Sequence, residues 1–135
     1  MRNLRVLLVH GTFGDPGGGN AVGAWLAQAL ADAVTLDVLT ELPWEPASVD
    51  AFWGTSLARH PLRQHVVPMP ASLLLRLRYS LNRERPGTRF DRLRLALLFR
   101  EARRLGPRFD LCVTAENFAA FDRPGIQYVH YPKIF

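Results

Sequence analysis

The sequence predicts an α/β fold: a parallel sheet of about five strands with helices on both faces. Two observations predict it. Short apolar runs rich in Val and Leu alternate with longer stretches of helical period, the pattern that joins parallel strands through right-handed crossovers. The ten residues His10 to Gly19, HGTFGDPGGG, stand between the first apolar run and the first helical stretch, so strand, glycine loop and helix follow one another. The chain has 135 residues, 48% of them hydrophobic and 21% charged. That is enough for one domain with its own core and argues against disorder.

Taken in order, the first strand is predicted at Leu4 to Val9 and the first helix at about Asn20 to Asp32. Val22, Trp25, Leu26, Ala29 and Leu30 fall on one face of that helix, and Asn20 is placed to cap it. A second strand follows at Thr35 to Leu39. Pro43 and Pro46 mark a loop, and a weaker helix covers about Val49 to Leu57. The third strand is predicted at His65 to Met69. Two Arg-rich helices, about Ala71 to Arg83 and Asp91 to Leu105, are separated by Arg85-Pro86-Gly87. Strands at Phe109 to Thr114 and Gln127 to His130 complete the set, and only Lys133, Ile134 and Phe135 follow the terminal YVHYP. A strand of this type normally needs a following helix to cover it, so the chain reads as the front of something longer.

Sixteen arginines and one lysine give a net charge of +5, and eleven of those arginines lie between Arg76 and Arg108 against Glu84, Asp91 and Glu101. One reading is a solvated helix face written in arginine. The other is a surface that meets an anionic membrane, because Leu73, Leu74, Leu75, Leu77 and Leu81 interleave with Arg76, Arg78, Arg83 and Arg85 as in an interfacial amphipathic helix. No nucleic-acid motif accompanies the charge, so nucleic acid is not an expected partner. No apolar run approaches the roughly 20 residues of a membrane span and the N-terminus lacks a secretory core, which places the chain in the cytoplasm, peripheral on the inner membrane face if the basic helices dock. Cys112 is the single cysteine and sits in the apolar FDLCVTA segment, where a buried thiol is expected.

Three consecutive glycines, Gly17, Gly18 and Gly19, let a backbone approach a ligand closely, and the free N–H groups of the helix that follows favour an anion. The duller reading is a flexible turn. In open α/β sheets the ligand crevice lies beyond the carboxyl ends of the strands. His10, Glu41, Glu116 with Asn117, and His130 with Tyr131 all fall at such ends. His60 and His65 have no ligand spacing, so no metal is expected. Trp25, Trp44 and Trp53 read as packing residues.

Four stretches, in order, carry a resemblance: the first strand with GDPGGGN and its helix, VDAFWGTSLARH, FDLCVTAEN, and QYVHYP. Together they resemble the N-terminal, Rossmann-like domain of a family 4 retaining glycosyltransferase, of the type of the dolichol-pathway α-1,2-mannosyltransferase. The resemblance implies the acceptor-side half of a two-domain enzyme that transfers a sugar from a nucleotide sugar to a glycan or lipid-linked acceptor, with the C-terminal donor domain absent and little activity alone. It implies that Gly17, Gly18, Gly19 and Asn20 lie by the donor diphosphate and acceptor. It further implies that His130 positions a donor-sugar hydroxyl and stabilises charge near the anomeric centre, with His10, Glu116, Asn117 and Tyr131 in the same cleft. Such enzymes are metal-independent, so no cofactor is implied. Asn20 stands where many relatives carry an acid.

Two other readings stay open. Gly17, Gly19 and Gly23 offer a G-x-G-x-x-x-G variant with Glu41 as a ribose-binding acid, which suits a dinucleotide-binding oxidoreductase domain. The Arg-rich helices alone suit a non-catalytic basic module on a membrane surface.

Overall fold

The computed structural model describes residues 3–14, 17–68, 89–115 and 121–129. It is an α/β fold whose five strands are all parallel: β1 (Arg5–Val9), β2 (Thr35–Thr40), β3 (Arg63–Val66), β4 (Leu111–Thr114) and β5 (Gly125–Gln127), in the order β3-β2-β1-β4-β5. The helices are α1 (Gly18–Ala33), α2 (Pro46–Trp53) and α3 (Arg89–Leu105). The predicted helix at Ala71 to Arg83 lies outside the described residues.

The central strands are mostly apolar because both faces of the sheet are covered. Val6 and Leu8 of β1 point to one layer with Leu36, Val38 and Val113, under Ala24 and Ala27 of α1 and Val49 of α2. Leu7 and Val9 point to the other, with Leu39 and Cys112, under Leu98, Ala102 and Leu105 of α3. One polar pair is built into that second layer. Asp37 is buried opposite Leu7 in the ladder, and its carboxylate meets His65 Nε2 at 2.7 Å.

Several boundaries differ from expectation for local reasons. α1 opens two residues early because Gly17 takes φ 157° and ψ 149°, a backbone region open essentially to glycine, and caps the helix without a side chain. α2 runs from Pro46 to Trp53 rather than from Val49 to Leu57. Proline fits the first helical turn, and Gly54 ends the helix in the left-handed conformation at φ 77°. β3 begins at Arg63 rather than His65, and its pairing is prolonged by Val67 N–H donating to Thr40 O. A 3-10 turn over Gly106–Arg108 delays β4 to Leu111. β5 starts at Gly125, and Tyr128 N–H extends it by donating to Thr114 O.

Trp25 is a correction: it is 52% exposed on α1, whereas Trp44 and Trp53 pack against the core as expected. The periodicity that placed Trp25 inside does not distinguish the centre of an apolar stripe from its edge. Among the described residues no helix is long and apolar enough to cross a membrane.

Candidate functional site

Strand order locates the site. Connections leave β1 toward β2 and β3 on one side, while β4 and β5 lie on the other, so the sheet reverses direction between β1 and β4. Ligands of such sheets bind beyond the carboxyl ends at that reversal. The segment leaving β1 there is His10 to Gly17, and Gly17, Gly18 and Gly19 are all exposed. A Cβ built on Gly17 or Gly18 would meet nothing within 4 Å, so open space adjoins the first turn of α1.

His10 does not face that space. It is 2% exposed, beneath α1, with Nε2 3.1 Å from Asn20 Oδ1 and its ring 4.8 Å from that of Phe13. Gly23 makes the room: a Cβ there would fall 2.6 Å from His10 Cε1 and Nε2 and 2.9 Å from Cδ2. Asn20 is therefore not the helix cap. It is the third residue of α1, and its amide turns inward to the imidazole. The glycine of the G-x-G-x-x-x-G spacing is a seat for a histidine ring.

The loop's base is held by aromatic packing. The Phe13 ring lies tilted against that of Trp44, 4.7 Å between centres, and Trp53 Nε1 donates to Phe13 O at 3.3 Å. Backbone bonds from His10 N–H to Leu39 O and from Glu41 N–H to Gly11 O tie the ends of β1 and β2 together.

Glu41 is 3% exposed and accepts two bonds from Arg94 of α3, at 3.0 Å from Nε and 3.3 Å from Nη2. The carboxylate suggested for a ribose is thus engaged by a guanidinium.

The Gly54-to-His60 segment is held by α2 and α1. Asp50 accepts bonds from Thr55 Oγ1 at 2.6 Å, Leu57 N–H at 2.6 Å and Ala58 N–H at 2.9 Å. Partial burial pushes the Asp50 pKa up, but those bonds and the charge of Arg59 prevail and hold it below its ordinary 3.8. Gln28 of α1 accepts bonds from Ser56 N–H at 2.8 Å and Ser56 Oγ at 3.0 Å, and His60 Nε2 lies 3.0 Å from Asp32 Oδ1. The polar side chains of GTSLARH that are seen bonding do so to α1 and α2. Sequence reading missed Gln28 and Asp50, for which the signal was chemical: a Gln and an Asp on two otherwise apolar helix faces.

Elsewhere, the hydrogen bonds of Arg104 depress the Glu101 pKa, and burial raises that of the Cys112 thiol above 9.0. Among the described residues no group of three His, Cys, Asp or Glu could hold a metal. Glu116, Asn117, His130 and Tyr131 lie outside the described residues; of the rest of the predicted set, Gly17–Gly19 border the open space, whereas His10 pairs with Asn20 beneath α1. The chain matches no family model, no curated protein and no solved structure to which it was compared.

Proposed function

We propose that this chain is the acceptor-side half of a retaining, nucleotide-sugar-dependent glycosyltransferase that acts on a glycan or lipid-linked acceptor. The observation that carries the reading is the exposed triple glycine opening a 16-residue helix at the reversal point of the sheet. Backbone N–H groups at that turn suit a diphosphate or a sugar hydroxyl. The resemblance assigns His130 the role beside the donor sugar and Glu116, Asn117 and Tyr131 to the same cleft. A second domain supplies the remaining donor contacts. On the same reading the Arg-rich segment from Arg76 to Arg108 meets an anionic membrane surface on the cytoplasmic side, which brings the cleft to a lipid-linked acceptor. The dinucleotide alternative is weakened by two features. Glu41 is engaged by Arg94, and eight residues separate β1 from α1 where the dinucleotide fingerprint turns almost at once.

Amide chemical-shift mapping with UDP-glucose, GDP-mannose and NADH tests the reading. Saturable shifts at Gly17 to Asn20 with a nucleotide sugar are expected, with NADH weaker. Tight NADH binding, or nucleotide sugars that leave these amides unmoved, would overturn it.

A further inference from the structure

At the opposite, amino-terminal edge of the sheet, the segments entering β4 and β5 enclose a groove of about 410 Å³, lined by Pro107, Arg108, Phe109, Asp110, Arg123 and Pro124. Beside it lies a chamber of about 220 Å³, which shares Pro107 and Arg123 with the groove and extends to Ala102, Cys112 and Phe121. Arg123 is pre-set between the two. Its Nη1 donates to Phe109 O at 3.0 Å and to Gly106 O at 3.3 Å, bonds that fix the guanidinium plane and leave its other donors for a ligand. Arg108 is exposed on the 3-10 turn across the groove.

The charge balance favours an anion. Arg108, Arg123 and Arg103 line the two spaces, and the Arg5 guanidinium stands 5.1 Å from the Phe109 ring centre. Against them are Asp110, whose Oδ2 accepts the Arg5 N–H at 2.9 Å, and Asp122. Of the residues that line the two spaces, three carry guanidiniums and two carry carboxylates. The chamber is different in kind, because Ala102, Pro107, Phe121 and the thiol of Cys112 give it apolar walls.

We infer that this edge is a binding site for a phosphomonoester with a small apolar body, its phosphate between Arg108 and Arg123 and its body in the chamber against Cys112. The fork geometry of guanidinium suits phosphate oxygens, and the separation of charged groove from apolar chamber selects an organic ester over the free ion. The site is independent of the glycine loop.

Cys112 supplies the readout, since it is the only thiol in the chain. Its rate of modification by a disulfide reagent is followed with phenyl phosphate, inorganic phosphate or phenol present, and with phosphatidylcholine vesicles containing phosphatidic acid. Phenyl phosphate is expected to slow modification more strongly than phosphate or phenol at equal concentration. Arg108→Gln, at an exposed position, should weaken that protection about tenfold, the usual scale for a charge-assisted phosphate contact, and Arg108→Lys should restore part of it. Protection by phenyl phosphate identifies a soluble ester, and protection by the vesicles alone identifies a lipid headgroup; either supports the site. Protection by none of these probes, or protection unchanged in Arg108→Gln, would overturn it.

Discussion

Gly23→Ala is the substitution whose sign is least intuitive. In the middle of α1 an alanine should help, by up to about 1 kcal/mol, because it has the better helix propensity. The structure opposes that gain, because the new methyl carbon would sit 2.6 Å from two atoms of the His10 ring. The ring cannot swing freely: it is buried, in tilted contact with Phe13 and bonded to Asn20. Overpacking of this kind costs about 1–3 kcal/mol, and displacing the imidazole loses a hydrogen bond worth about 1 kcal/mol. The net expectation is a loss of about 2 kcal/mol, or a fall in melting temperature of roughly 6–10 °C for a domain of this size. Urea unfolding followed by far-ultraviolet circular dichroism measures it. A double-mutant cycle isolates the cause, because Gly23→Ala in a His10→Ala background meets no ring and should be neutral or stabilising. The coupling should therefore be about 2 kcal/mol. A Gly23→Ala protein at least as stable as the parent, or one that loses the same amount with and without His10, would refute the account of how α1 is seated.

Two further expectations concern charge. Asp50 is held below its ordinary pKa of 3.8, so its carboxylate stabilises the fold above that pH and the contribution is lost as pH falls through the lower folded value. The stability difference between the parent and Asp50→Asn, measured in urea at neutral pH and near pH 3, should therefore shrink at the acid end; a constant difference would contradict the assignment. Glu41→Gln removes the negative partner of an Arg94 whose side chain is only 15% exposed. Leaving a largely buried guanidinium without its carboxylate should cost about 3 kcal/mol in the same unfolding assay, and a loss below 1 kcal/mol would mean that the pair is solvated.

Much of the fold could be read in the chain because its signals were local. The run VLLV is apolar on both sides of the pleat and LDVLT is nearly so, broken at Asp37, a pattern that suits strands covered on both faces, and the single cysteine fell in such a run and is buried. The site was less legible because its decisive contacts join residues far apart in the fold's logic. An asparagine at the start of a helix has two equally good uses, capping its own backbone or bonding a neighbouring side chain. Only the position of His10 at the end of β1 settles which. Likewise Gly23 reads as one member of a glycine fingerprint, but its role is set by a ring thirteen residues earlier. The Pro46 and Gly54 boundaries of α2 were present as start and stop signals and outweigh the apolar periodicity that pointed further along the chain.

The bonds from Gln28 to Ser56 bear on how any ligand would be received. They fasten the middle of α1 to the bend after α2, while the His10 ring wedges the same helix from below and Phe13 pins the preceding loop. A helix held at two separate points, behind a loop that is itself packed down, behaves as a fixed strut. On the proposed reading, the first turn of α1 would meet a ligand without sliding or tilting, and selectivity would rest on the fit of that ligand to a shape already set.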